Sequence, residues 1–594
     1  MQHKVITKSK QFIRIAPAWI LRKLSVRQFL IVGAVIVGLW AGLTAVLLKV
    51  SVHYLQEGLK PFGHQYKWFY FVSPTLGILS TYLFIKFILN GDLARGTSHV
   101  LLAIAKKSSF LPRKEVISHV ATSALTIGLG GSAGLESPIV QTGSAIGSTF
   151  ASFFPIGYRD RTLLLACGAA AGIATAFNAP IAGVLFALEV LLVDIRVSAF
   201  IPLIIAGATG ALCSKIILAE GIFLSFKQVS NFNYYNVPYY VVLGVACGLV
   251  SVFYVRAFLK TEIQFARFLR SALSRLVVGC ALLGGLIMLF PALFGEGYSS
   301  ITALALIKPE QLFVGSPLFD FLTRTQWGFG LAILTVGVVK VFAVSFTLNA
   351  GGNGGNFAPA LFVGACLGFS FAFLVNTTGL ASLPTSNFCL VAMAGVLTGI
   401  FHAPLTGIFL IAEITGGYDL IIPLMIVSAL STAVSRYANH YSLDETKLAQ
   451  EDHAISFNKD THVLSELSVE TFIERDFISV PVHTTLRSLV EAVSHSKRNI
   501  FPVIDDQGSL AGIIILEDIR EIMFNPSLYD AVSVDQLMQM PTITANINES
   551  MGDIMEKFDK SGLWNIPVLG KGKYLGFISK SRVFSNYRDK LKSD

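Results

Sequence analysis

Glu136 lies in the segment Gly134-Leu135-Glu136-Ser137-Pro138, an acid set among glycine, serine and proline in an otherwise apolar stretch. The same spacing of glycine and proline returns at Gly355-Asn356-Phe357-Ala358-Pro359, and each segment runs into small residues, Gly143 to Gly147 and Gly364 to Gly368. A glycine turn that opens a helix exposes backbone N–H groups, where the helix dipole adds about half a positive charge. Gly134, Ser137, Gly355, Asn356, Phe357 and Ala358 are therefore candidate anion-binding residues, with Phe357 adding a backbone N–H and an apolar wall. Several such termini can hold a monovalent anion without a full countercharge, so the anion can leave again. A carboxylate in the same place is a tethered anion, and protonation would neutralise it and let it swing aside. Glu136 is thus the candidate gate and proton acceptor. The plainer alternatives are that the glycines only permit close helix packing and that Glu136 is a fixed cap.

The elements that must position these residues also come twice. Ala176-Phe177-Asn178-Ala179-Pro180-Ile181-Ala182-Gly183 leads to Glu189, and Ile400-Phe401-His402-Ala403-Pro404-Leu405-Thr406-Gly407 leads to Glu413. Matched motifs in matched order inside an apolar chain indicate an internally duplicated membrane transport protein, whose broken helices meet near the bilayer midplane. Gly, Pro and Asn interrupt many apolar runs before the roughly 20 residues that a full crossing needs. Such breaks are tolerated only where protein or a hydrated cavity satisfies the freed backbone. Glu189 and Glu413, at equivalent positions, are expected to cap or pair near helix ends. Lys340, within an apolar run, either raises the local positive potential or snorkels to an interface. His99 and His402, beside glycine or proline turns, read as hydrogen-bonded structural groups.

Composition supports a membrane protein with a soluble tail. Of 594 residues, 53% are hydrophobic and only 14% charged, and the 51 glycines suit closely packed membrane helices. Long apolar runs such as Phe29–Leu48, Tyr239–Val255 and Leu276–Phe290 fall within residues 28–448, whereas the tail approaches the roughly 25% charge of a soluble domain. The segment 1–27 carries Lys4, Lys8, Lys10, Arg14, Arg22, Lys23 and Arg27 with no acid, which places it on the cytoplasmic side. The net charge of +9 then reports topology and contact with anionic lipid; no basic–aromatic patch accompanies it, so nucleic acid is not an expected partner. The six cysteines lie in apolar segments without metal spacing and read as buried small hydrophobes, with no metal site expected.

These motifs resemble the CLC family of chloride channels and proton-coupled chloride exchangers, over about residues 28–448. In that family a G-(K/R)-E-G-P segment carries a gating glutamate and a G-x-F-x-P segment lines the anion path; the lead-in Ser345-Phe346-Thr347-Leu348-Asn349-Ala350-Gly351-Gly352 is also similar. The resemblance implies an all-α multi-span membrane domain with an internal inverted repeat and broken helices, and a homodimer. Four segments depart from the pattern. Ala94-Arg95-Gly96-Thr97-Ser98 stands at the G-(S/H)-G-x-P motif, so Arg95 replaces a small hydroxyl or imidazole near the central anion. Asp444, in Ser442-Leu443-Asp444-Glu445-Thr446-Lys447-Leu448, takes the place of the anion-coordinating tyrosine unless Tyr441 substitutes in a shifted register. Arg95, Gly96, Asp444 and Tyr441 are thus inner-site candidates, and a salt bridge or water-linked pair between Arg95 and Asp444 is the expectation. Leu135 and Ser137 replace the basic residue and second glycine beside the gate. Finally Val190 follows Glu189 where exchangers often carry a second, proton-transferring acid, which resembles the channel branch.

The tail repeats as well. Asn499-Ile500-Phe501-Pro502-Val503-Ile504 leads through a turn to Gly512-Ile513-Ile514-Ile515, and Asn565-Ile566-Pro567-Val568-Leu569 to Gly576-Phe577-Ile578-Ser579. With flanking helical stretches these units resemble an α/β tandem CBS domain pair, at 476–528 and 535–590, joined to the membrane domain by a linker at 449–475. Nucleotide-binding CBS pairs often hold ribose with a Ser/Thr followed three residues later by Asp. Here the first repeat keeps only Asp518 and the second only Ser579. Dimerisation and stabilisation are the expected role, with no cofactor, and adenine nucleotide is the alternative ligand.

An intramembrane metalloprotease would need His-Glu-x-x-His, and no His here precedes Glu; an ATP-driven pump would need Gly-Lys-Ser/Thr, which is also missing. The expectation is a non-enzymatic, multi-pass protein of the plasma (inner) membrane with a cytoplasmic N-terminus and CBS pair. It conducts chloride or similar monovalent anions in a channel-like or weakly proton-coupled manner. The alternatives are an obligate proton/chloride antiporter or a fluoride exporter.

Overall fold

The computed structural model describes residues 25–66, 68–91, 93–192, 197–217, 226, 232–318, 324–451, 469–570 and 572–593. The basic segment up to residue 24 and most of the expected linker lie outside these. The chain forms two compact units, residues 1–453 and 454–594.

Among the described residues, eight helices of the first unit are long and apolar enough to cross a membrane, including Val26–Leu59, Tyr158–Phe177, Gln326–Asn349 and Phe357–Thr378. The duplication read from the sequence recurs as two matching helix pairs. In the first, Glu136–Ser152 packs on Tyr158–Phe177, with Gly143 against the backbone of Gly168 and Gly147 against that of Leu164. In the second, Phe357–Thr378 packs on Thr385–Phe401, with Gly364 against Ala392 and Met393 and Gly368 against Phe388. A Cβ at any of these glycines would collide with a neighbouring backbone, so the small-residue segments serve helix packing. Each pair ends in the same break. Asn178 (φ 53°) and His402 (φ 55°) take the left-handed conformation that ends a helix, and Pro180 and Pro404 then open the short helices Pro180–Phe186 and Pro404–Thr415. Proline fits the first turn of a helix because no N–H is needed there. The first of these short helices continues as a π-helical turn, Ala187–Leu191, which carries Glu189 and Val190.

The two repeats join at their motifs. Gly134 N–H donates to the Gly355 carbonyl at 2.9 Å and Gly355 N–H returns the bond at 2.8 Å, a minimal antiparallel bridge. The helices Glu136–Ser152 and Phe357–Thr378 therefore start side by side.

The second unit holds two three-stranded sheets of one topology: β1 (Val480–Pro481), β2 (Ile500–Ile504) and β3 (Leu510–Ile515), then β4 (Ala545–Asn546), β5 (Asn565–Gly570) and β6 (Lys573–Ser579). In each, the first pairing is parallel and the second antiparallel. Pro502 and Pro567 fit because the short parallel strands reach only Val503–Ile504 and Val568–Leu569. The expected linker ends earlier than residue 475. Val469, Phe472 and Ile473 pack into the core of the second repeat with Phe558, Ile566 and Ile578.

Candidate functional site

The bridge between Gly134 and Gly355 aims Glu136 at the other repeat. Its Oε2 accepts the backbone N–H of Ala358 at 3.3 Å, and its Oε1 accepts the hydroxyl of Tyr298. The residue is 1% exposed, so the carboxylate meets protein donors rather than bulk water. Both donors are neutral. Gly134 has room for nothing larger than hydrogen, because the Glu136 carboxylate and Ala358 lie against it; Gly355 faces Ser137 as tightly. Phe357 is buried, with its ring centroid 5.6 Å from Phe177, 6.2 Å from Phe186 and 5.6 Å from Phe401, so an apolar collar surrounds the second motif. Asn356 Oδ1 accepts the Tyr254 hydroxyl at 3.0 Å, and Ser137 Oγ lies 3.3 Å from Thr97 Oγ1.

A cavity of about 710 Å³ opens beside this junction, and Glu136, Ser137, Gly355, Asn356 and Phe357 share its wall with Arg95, Gly96 and Asp444. The structure thus brings together nearly all the sequence candidates. It does not form the expected ion pair between Arg95 and Asp444. Arg95 Nη1 instead donates to the Gly352 carbonyl at 3.2 Å, and among the described residues no carboxylate pairs with it. Arg275 and the Lys447–Glu262 ion pair (3.1 Å) share the cavity wall, so the charges there are distributed over more elements than the sequence comparison considered. Asp444 itself faces the cavity, whereas Tyr441 is half-exposed and is not among the described residues that line it, which disfavours the shifted register.

Glu189 and Glu413 cap each other's repeat. Glu189 accepts the N–H groups of Leu405 (3.0 Å) and Thr406 (2.8 Å) and the Thr406 hydroxyl (2.7 Å). Glu413 accepts the N–H groups of Ile181 (3.0 Å) and Ala182 (2.8 Å). Each carboxylate thus satisfies the orphan amides at the start of the other repeat's short helix. Val190 follows Glu189, half-buried in the π-helical turn.

Three residues near Glu136 were not singled out in the sequence: Lys49, Glu296 and Tyr298. Lys49 Nζ donates to the Ala176 carbonyl and stands 5.6 Å over the Tyr298 ring and 5.7 Å over that of Phe177. Glu296 is buried in electrostatic reach of Glu136, Lys49 and Lys340. Lys340 does not snorkel; it is fully buried, donating to the carbonyls of Gly295 (2.9 Å) and Leu293 (3.3 Å). A lysine directly at the end of the first apolar run and an acid between two glycines were the available signals. His99 lies 3.7 Å from Glu115, and His119, which bonds Asn353, lies 3.9 Å from the same acid, a buried structural cluster.

In the second unit Ser579 Oγ donates to Glu474 Oε1 at 2.6 Å, and Arg498 pairs with Glu474 at 2.5 Å and Asp476 at 2.7 Å. The Arg498 hydrogen bond holds the Asp476 carboxyl below the usual carboxylate range. Asp518 accepts a bond from Gln539 at 3.3 Å. The Ser579 hydroxyl is therefore committed to an internal acid. Among the described residues no cluster of His, Cys, Asp and Glu is arranged to hold a metal ion.

Compared with known proteins, residues 76–436 match the voltage gated chloride channel family, and residues 469–525 and 534–589 match the CBS domain. The chain is 26% identical over 543 residues to chloride channel protein CLC-f of Arabidopsis thaliana, covering 79% of this chain and 68% of the relative. It is 30% identical over 331 residues to the H(+)/Cl(-) exchange transporter ClcA of Citrobacter koseri, covering 55% of this chain and 66% of the relative. Its fold is similar to the crystal structure of a slow cyanobacterial Cl-/H+ antiporter, with a TM-score of 0.60 at 21% identity, covering 72% of this chain and 98% of that one.

Proposed function

The chain belongs to the voltage-gated chloride channel (CLC) family of anion transport proteins, and from that premise we propose that Glu136 gates passive or weakly proton-coupled conduction of chloride and similar monovalent anions. The observation that carries this reading is the seat of the Glu136 carboxylate on the Ala358 N–H, at the first turn of the other repeat's helix and on the wall of the cavity. A carboxylate there competes with a mobile anion for the same donors. Protonation removes the charge that those donors favour, and a neutral acid is then free to turn away. Weak coupling is supported at Val190, which cannot carry a proton, and at Glu189, whose two oxygens are committed to the cap on Leu405 and Thr406.

The basic N-terminal segment supports a cytoplasmic N-terminus in the plasma (inner) membrane, with the CBS pair on the same side. We assign the CBS pair to assembly and stability of a homodimer in the lipid bilayer; the engaged Ser579 hydroxyl argues against ribose binding there.

Glu136→Gln in proteoliposomes tests the reading. The neutral amide should keep or raise chloride flux and abolish its dependence on pH. Flux that stays pH-dependent in this variant would remove Glu136 from the gate.

A further inference from the structure

A mobile anion at the gate must be held by the donors that now hold Glu136, and one of them is a side chain. We propose that the Tyr298 hydroxyl is an anion ligand of the gate position, and that it sets preference among halides. The proposal rests on the reading of Glu136 as the gate.

The Glu136 carboxylate stands in for the anion. One oxygen takes the Ala358 N–H and the other takes the Tyr298 O–H. When the acid is protonated and swings away, both donors lose their acceptor in a place where Glu136 is 1% exposed, and an unmatched buried donor is costly. An entering halide restores both bonds. Tyr298 is held for this task by its surroundings: its ring packs edge-on against Phe177 at 6.4 Å, and Lys49 Nζ stands 5.6 Å over its centroid. Lys49 is itself anchored on the Ala176 carbonyl, and with buried Lys340 and Glu296 it forms the charged surroundings of the gate. The hydroxyl thus presents its proton to the acceptor at the gate.

The chemistry predicts a direction of selectivity. A phenolic O–H concentrates positive charge on a small donor and rewards small, charge-dense anions over large polarisable ones. Backbone N–H groups lined by phenylalanine discriminate less. Fluoride and chloride should therefore be favoured over iodide through Tyr298.

The experiment compares Glu136→Gln with the double variant Glu136→Gln/Tyr298→Phe, so that the tethered carboxylate is absent from both. Calorimetric titration with chloride, bromide and iodide should show about a tenfold weaker chloride affinity in the double variant, the size expected for loss of one hydrogen bond to a charged group. Iodide affinity should change much less, flattening the halide order, which a merely structural role for the ring would not produce. Equal chloride affinity and an unchanged halide order in the two variants would overturn the role of Tyr298. Failure of Glu136→Gln itself to bind chloride would instead overturn the gate reading and the proposal with it. Should Tyr298→Phe fail to fold, bromide soaked into crystals of Glu136→Gln gives an independent answer. Anomalous density within hydrogen-bond distance of both the Ala358 nitrogen and the Tyr298 oxygen is expected. Bromide on Ala358 alone, with the hydroxyl turned elsewhere, would overturn the assignment.

Discussion

Three carboxylates of the membrane unit sit at helix starts that belong to the opposite repeat, and they are held very differently. Glu189 accepts three bonds of 2.7 to 3.0 Å from consecutive residues, and Glu413 accepts two of 2.8 and 3.0 Å. Glu136 accepts one backbone bond at 3.3 Å and one from a side-chain hydroxyl. Of the three, Glu136 is the one among the described residues that lines the cavity, which gives it a void to turn into. The symmetric pair forms a reciprocal staple between the repeats. At the gate the symmetry is broken, because Glu136 faces Phe357 at the equivalent position and no second acid completes the exchange. On the proposed reading the same interaction, a carboxylate on a helix N-terminus, is structural or mobile according to its number of donors and the void beside it.

The largest separation between the two kinds should appear on neutralising them. Glu136→Gln should transform the pH dependence of flux and leave the thermal midpoint of the detergent-solubilised protein almost unchanged. Glu189→Ala and Glu413→Ala should do the reverse, each costing about 2 kcal/mol of stability, as expected for a lost charged cap, with the halide order retained. Thermal unfolding and flux measured on the same preparations check both. A stapling variant that changed the pH profile of flux as much as Glu136→Gln would erase the distinction.

A smaller effect is expected at the inner end of the cavity. Arg95 bonds Gly352 and does not pair with Asp444, so Arg95→Ala and Asp444→Asn should change chloride affinity additively, within about 0.5 kcal/mol in a double-mutant cycle. Coupling well beyond that would mean that the two charges meet in a state other than this one.

Removal of residues after about 460 should alter expression, assembly or gating and leave halide selectivity unchanged, since every selectivity candidate precedes that point. Within the tail, Arg498 and Asp476 stabilise the fold to a small extent, being largely solvent-screened. Because Arg498 lowers the Asp476 carboxyl, this contribution is present above the ordinary carboxylate range near about 4 and is lost as pH falls through the lowered value. Acid unfolding of the isolated CBS pair, compared with Arg498→Ala, should show a stability difference at neutral pH that vanishes at that acidic end.

Much of this was legible in the sequence, for a physical reason. Glycine, proline and carboxylate at fixed spacing are demanded by a broken helix with an acid at its start, so the duplicated motifs exposed the Gly134–Gly355 junction, the placement of Glu136 and the pair of capping acids. The CBS strands were equally readable from short apolar runs bounded by turns. Tyr298, Lys49 and Glu296 were not, because each is a single residue whose role depends on packing against chain more than a hundred residues away. The direct Arg95–Asp444 ion pair failed for a related reason. Matching positions brought both to one cavity, but side-chain direction was decided by a carbonyl at Gly352 that no motif announces. Glu474 escaped notice because it lies in what read as linker.

The decisive measurement is of protons and chloride together. Wild-type protein in liposomes, given a chloride gradient with membrane potential clamped, should carry chloride with little or no proton movement against a proton gradient. Sustained uphill proton transport at a fixed ratio to chloride would contradict channel-like conduction and make this chain an obligate exchanger, with a proton route that bypasses Val190.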